Sequence, residues 1–115
     1  MLIEYDNQLT TKIFGDFNLM KKKLGMDRAR ATKRRLDQLR ASINFSVYLT
    51  TGLGRPHPLS GNLKGYYGVY LTGNVRLIVK PNVKSLEPEA LRECDTVIIK
   101  GVMDYHGRKN EWLIP

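Results

Sequence analysis

The chain has 115 residues, enough for one domain that buries a core without disulfides or a structural metal. Its hydrophobic and charged fractions, 42% and 26%, are those of an ordinary folded soluble protein, but 19 Lys and Arg against 11 Asp and Glu leave a net charge of +8. Such an excess in so small a domain fits a polyanionic partner, either nucleic acid or an acidic protein. Cys94 is the only cysteine, which excludes an intramolecular disulfide and a Cys-rich metal site; it reads as an incidental thiol in a loop. A histidine-based metal site would need both His57 and His106 together with carboxylates, and no spacing supports one. With no signal-peptide pattern and no long apolar run, the expected location is the cytoplasm.

The first half of the chain predicts helices. Leu2-Ile3-Glu4-Tyr5 is a short strand candidate stopped by the turn-prone Asp6-Asn7. Leu9, Ile13, Phe17, Met20 and Leu24 recur at spacings of four and three, one helical face. Gly25 suits its C-terminal cap, and Lys21, Lys22 and Lys23 suit its negative dipole end. Asp27 can cap a second helix, whose apolar seam is Ala29, Thr32, Leu36, Leu39 and Ile43. The short Gly-containing link predicts an antiparallel helical hairpin. Away from the seam the second helix carries Arg28, Arg30, Lys33, Arg34, Arg35 and Arg40. This is either an electrostatic surface for RNA or an acidic partner, or simply a solvated face. Phe45 to Thr51 is ambiguous, and Gly52-Leu53-Gly54 marks a loop.

The second half predicts strands. His57 lies between Pro56 and Pro58, which forces extended backbone. Gly73-Asn74 is a two-residue hairpin turn, since both residues tolerate positive φ. A regular hairpin about it sets Leu71 opposite Arg76, Val69 opposite Ile78 and Tyr67 opposite Lys80. Tyr67, Arg76 and Lys80 then share one face, and Tyr66, Tyr70, Leu77 and Val79 the other. Pro81 to Glu93 is a loop or a short helix around Pro88-Glu89. A last strand from Thr96 to Met103 runs into Asp104-Tyr105-His106, and Trp112-Leu113-Ile114 in the tail should pack back on the body.

Those residues contain what metal-free RNA cleavage requires. A base must take the 2′-hydroxyl proton, a cation must stabilise the pentacovalent phosphate, and an acid must protonate the leaving 5′-oxygen. Histidine carries protons near neutrality, lysine and arginine supply fixed positive charge, and tyrosine stacks on bases or donates hydrogen bonds. The candidates are His57, Lys64, Arg76, Asp104 and His106 for catalysis. Tyr66, Tyr67, Tyr105, Lys80, Arg34 and Arg35 are the candidates for RNA binding. Each has a bland counterpart: Arg76 in a salt bridge within the sheet, Asp104 paired with it, His106 orienting a neighbour, and the tyrosines packing the sheet.

Four motifs stand in order: His57-Pro58-Leu59-Ser60-Gly61, Lys64-Gly65-Tyr66, Gly73-Asn74-Val75-Arg76-Leu77 and Asp104-Tyr105-His106. Together they resemble the HigB-like branch of the RelE/ParE toxin superfamily, over about residues 2 to 106. The resemblance implies one α+β domain over residues 1–115, RelE-like, with an N-terminal helical hairpin packed on a mostly antiparallel sheet of four or five strands. It also implies the toxin of a type II toxin–antitoxin system, a ribosome-dependent endoribonuclease (an mRNA interferase). Such a toxin cuts mRNA in the A site and inhibits translation without a metal or other cofactor. The implied partners are the ribosome, its mRNA and a helix-turn-helix antitoxin. His57, Lys64, Arg76, Asp104 and His106 match the family's site, with Tyr105 beside them. The same superfamily holds ParE-type inhibitors of DNA gyrase, so a non-catalytic gyrase inhibitor, or a degenerate relative that only binds RNA, is the alternative.

Overall fold

The computed structural model describes residues 1–106 and 109–115; Gly107 and Arg108, which open the expected tail, lie outside the described residues. The chain runs β1 (Leu2–Tyr5), α1 (Gln8–Phe14), α2 (Phe17–Leu24), α3 (Met26–Ala41), α4 (Phe45–Thr51) and β2 (His57–Pro58). After a 3₁₀ turn at Gly61–Leu63 come β3 (Tyr67–Thr72), β4 (Val75–Pro81), α5 (Pro88–Glu93), β5 (Thr96–His106) and β6 (Lys109–Ile114). It is an α+β fold with helices against a mixed sheet of order β1-β5-β4-β3-β2, and β6 also pairs with β5. The sheet has six strands, beyond the four or five expected, because the tail adds β6 and His57–Pro58 adds β2. One pair, β1 with β5, is parallel, and the others are antiparallel.

The helical half departs from the sequence reading at its caps. The expected first helix is two, because Asp16 turns extended and its carboxylate accepts from the N–H groups of Asn18 and Leu19, starting α2 afresh. Asn7 caps α1 the same way through Thr10 N–H, 2.8 Å. The buried face of α1 is Thr10, Ile13 and Phe14, which leaves Leu9 56% exposed, while Met20 and Leu24 of α2 stay in the core. Gly25, at φ 85°, ends α2 and also begins α3, so Asp27 sits in the first turn of α3 and does not cap it. Ala29, Thr32, Leu36 and Leu39 are buried as the seam requires; Ile43 lies past the helix end and is 75% exposed. The ambiguous stretch is α4, started by Asn44 accepting from Val47 N–H and ended by Gly52 at φ 67°. It buries Phe45 and Tyr48 completely. Each such ring or aliphatic side chain contributes about 1.5–3 kcal/mol by leaving water. Cys94 does lie in the link between α5 and β5, but it is a buried residue whose Sγ donates to the Thr96 carbonyl.

The hairpin carries the largest correction. Its turn is Gly73-Asn74, but only Gly73 takes a positive φ, 50°, and a bulge between Tyr70 and Thr72 shifts the ladder by one. Tyr70 therefore lies opposite Arg76, Val69 opposite Leu77, and Tyr67 opposite Val79. A one-residue slip exchanges faces. Tyr67, Val69, Leu77 and Val79 line the helix-covered core, and Arg76, Ile78 and Lys80 alternate onto the other face of β4. A second irregularity, in β4–β5, leaves Lys100 out of the ladder between Val79–Ile99 and Ile78–Gly101.

Two expectations follow. The carbonyl oxygen of Ile114 occupies the space where a Cβ on Gly101 would stand, backbone that cannot swing away. Gly101→Ala should therefore destabilise the fold by about 3 kcal/mol or more, at the upper end of overpacking costs, as urea unfolding would measure. Burial, offset only in part by Arg35, pushes the Tyr48 phenol up to about 12. The unfolded chain then ionises first as pH rises past about 10. The contribution of Tyr48 should be constant below that pH and fall between pH 10 and 12, and the alkaline slope of stability should shrink in Tyr48→Phe.

Candidate functional site

The face of the sheet turned away from the helices gathers cations and rings. Arg76 projects from β4 between two tyrosines: its guanidinium carbon lies 5.0 Å from the Tyr70 ring centre and 5.7 Å from that of Tyr105. Both rings are where the ladders put them, Tyr70 opposite Arg76 across β3 and Tyr105 two residues beyond Met103, which is opposite Arg76 across β5. Nη1 donates to the carbonyls of Gly73, 2.9 Å, and Val75, 3.2 Å. Those bonds occupy one nitrogen of five-donor guanidinium, and the Nε and Nη2 edge has no protein partner among the described residues. Cation–ring contact of this kind contributes about 0.5–2 kcal/mol and holds the fork in one plane. Burial raises the Tyr105 phenol above its ordinary value while Arg76 pulls it down, and the phenol stays protonated at neutral pH as a hydrogen-bond donor.

Two further groups share this face. Lys80, four residues along β4, places Nζ 5.4 Å over the Tyr66 ring. His57 lies opposite Gly68, and a Cβ there would stand 3.1 Å from its Cε1 and 3.2 Å from its Nε2. The imidazole therefore sits close over the strand at Gly68, where an added methyl would press on it. Its Nδ1 is 3.2 Å from the carbonyl of Arg55, itself held at φ 45° between Gly54 and Pro56. With Nδ1–H donating to that carbonyl, Nε2 is the lone-pair nitrogen. Gly68 precedes Tyr70 by two residues, so His57 stands about 7 Å along β3 from the Arg76 row.

Asp104 and His106 are elsewhere. Asp104 lies opposite Val75, a core-facing residue, and so faces away from Arg76. His106 follows it on that side, Nδ1 3.5 Å from Asp104 and Nε2 3.9 Å from Glu111 of β6. Of the Asp-Tyr-His triplet only Tyr105 meets Arg76. Asp104 does not pair with Arg76; β-strand alternation separates them. Lys64 follows the 3₁₀ turn and lines a hollow with Lys80 and Lys84, away from Arg76. Tyr67 is core: its ring meets Phe45 edge-on at 5.0 Å, and burial raises its pKa.

The basic helix divides too. Asp37 pairs with Lys33 at 3.0 Å and with Arg40 at 3.4 Å. Arg35 turns inward, Nε donating to the Tyr70 carbonyl at 2.8 Å and Nη1 to Gln38. It is a tie between α3 and β3, beside a cleft of about 380 Å³ that it lines with Arg55 and Tyr70. Arg34 remains exposed. The sequence reading missed Tyr70, assigned to the wrong face by the hairpin register, and Arg55 and Glu111, which act on the histidines. The Gly-Arg-Pro stretch before His57 was the available signal for Arg55.

No protein-family model matches the chain, and no curated protein does. Among solved structures it is similar to the YoeB–YefM complex from Staphylococcus aureus, with 18% identity and a TM-score of 0.54 over 93% of this chain and 99% of that one. A second structure, a heterotetrameric YoeB–YefM toxin–antitoxin complex from the same organism, matches with the same values. At this identity the likeness establishes the fold, which is RelE-like.

Because His57 is exposed and its ring can yield a few tenths of an ångström, Gly68→Ala should leave the melting temperature level or slightly raised. The substitution should also displace the imidazole from the strand. NMR of the His57 ring signals, alongside a thermal melt, checks both.

Proposed function

We propose that this chain is the toxin of a type II toxin–antitoxin pair and a metal-independent endoribonuclease acting on mRNA in the ribosomal A site. The observation that carries the reading is Arg76 held between Tyr70 and Tyr105 with its Nε–Nη2 edge open, on the same face as His57. That edge matches two oxygens of a phosphate. In the proposed reaction Arg76 neutralises the charge that develops on the pentacovalent phosphorus. The Nε2 of His57 takes the 2′-hydroxyl proton, and that oxygen attacks phosphorus to give a 2′,3′-cyclic phosphate. The 5′-oxygen leaves with a proton from the Tyr105 phenol or a water it orders. Tyr66 and Lys80 continue the face for neighbouring nucleotides. The fold's likeness to toxin–antitoxin complexes supports a cognate antitoxin as partner, and the net +8 suits a site walled by ribosomal RNA. The HigB-like motifs are the ground for a helix-turn-helix antitoxin, and the exposed Arg34 for a contact with ribosomal RNA.

Asp104 and His106, on the other side of β5, are proposed as a support that fixes the strand end bearing Tyr105. Their separation from Arg76 favours one competing reading, a relative that grips RNA on this face without cutting it.

Expression without antitoxin should arrest growth, and primer extension should show cuts in a reporter message only when it is translated. Intact messages with gyrase-linked DNA breaks would overturn the reading; intact messages with retained RNA binding would select the binder. On programmed ribosomes, His57→Ala and Arg76→Gln should each lower single-turnover cleavage by about a hundredfold to ten-thousandfold. His106→Ala should cost less than tenfold if it acts only through the strand end, and a loss as large as that of His57→Ala would return it to the reaction.

A further inference from the structure

At the far end of the same face lies a hollow of about 220 Å³, walled by Lys64, Gly65, Lys80, Lys84 and Ser85 among others. Three lysines line it from three segments: Lys64 after the 3₁₀ turn, Lys80 at the end of β4, and Lys84 in the loop that follows β4. None of the three makes an ion pair among the described residues, whereas Lys33, Arg40 and Lys100 elsewhere each meet an aspartate within 3.4 Å. The nearest acid in sequence, Glu87, makes no ion pair among the described residues; its backbone N–H donates to the Ser85 hydroxyl. Gly65, at φ 93°, turns the chain sharply beside Lys64 at the wall of the hollow. A hollow of that volume takes several waters, room for a phosphate group. Three cations lining one hollow with no ion-pair partner among the described residues leave positive charge there for an external anion.

We infer that the Lys64–Lys80–Lys84 hollow is a second phosphate subsite, which holds the backbone of single-stranded RNA away from the cut and sets where along the strand the cut falls. The inference rests on the RNA-cleaving reading of the Arg76 face. Lys80 is four residues from Arg76 on β4, about 13 Å, or up to four stacked nucleotides at about 3.4 Å each and fewer if the strand is extended. Tyr66, under Lys80, offers a ring for the base next to that phosphate.

The test is fluorescence anisotropy with the full chain and a labelled RNA of about ten nucleotides, 2′-deoxy at the cleaved position. A second set carries single neutral methylphosphonates walked along the strand. Wild-type protein should lose about tenfold in affinity at the position of the Arg76 phosphate and again at one position two to four nucleotides away. Lys80→Gln with Lys84→Gln should abolish the second loss, keep the first, and flatten the salt slope by about one unit. Arg76→Gln should do the reverse. If only one methylphosphonate position matters, the subsite is refuted while the catalytic reading stands. If none matters, both fall. If the double variant binds RNA normally but an acidic antitoxin peptide more weakly, the hollow is a partner contact and the inference is overturned.

Discussion

Strand β5 is the member on which the rest of this fold depends. Its eleven residues pair along one edge with β4 and along the other with two short strands in tandem, parallel β1 against its first half and antiparallel β6 against its second. A strand so enclosed must be apolar at its centre, and Val97, Ile99 and Val102 are fully buried. The helices attach through the same layer, α3 lying over β3 with Arg35 bonded to the Tyr70 carbonyl. Tyr70 therefore works on both sides. Its carbonyl fastens a helix, and its ring carries Arg76.

The open face follows from that arrangement. With the helices on one side of the sheet, the other side keeps only what the strands themselves bring, and the chain brings cations backed by rings. Arg76 over Tyr70 and Tyr105, and Lys80 over Tyr66, are charges set on apolar supports that cannot neutralise them. A carboxylate in either place would have spent the charge within the protein. Here it stays available to an external anion, and the guanidinium is already oriented before one arrives.

The order of elements and the assignment of strands to the second half could be read from the sequence, because punctuation by Gly, Pro and Asn is a local signal: Gly73 turns the hairpin and Gly25 ends α2. What could not be read was local in a different way. Asp16 restarts a helix by a side-chain bond that leaves no mark on hydrophobic periodicity. The bulge after Tyr70 inserts one residue, and a period of two turns that into an exchange of faces for Tyr67 and Tyr70. Motif order suggested that His57 and Arg76 lie near each other, and the sheet does put them on one face. Motif adjacency suggested the same of Asp104 and His106, but adjacency along a strand alternates sides.

The residue that β5 leaves unpaired at Lys100 has a consequence for chemistry as well as shape. It acts as a phase shifter. In an unbroken ladder Lys100 would stand opposite Ile78, Arg76 would meet Val102, and every later residue of β5 would exchange sides. Asp104 and His106 would then flank the guanidinium, and Tyr105 would be turned toward the helices. At the offset the carbonyl of Ile114 lies against Gly101 and Lys100 pairs with Asp6. Whether the arginine works beside an imidazole and a carboxylate or beside a phenol is thus decided by the parity of one strand, several residues away from any of them.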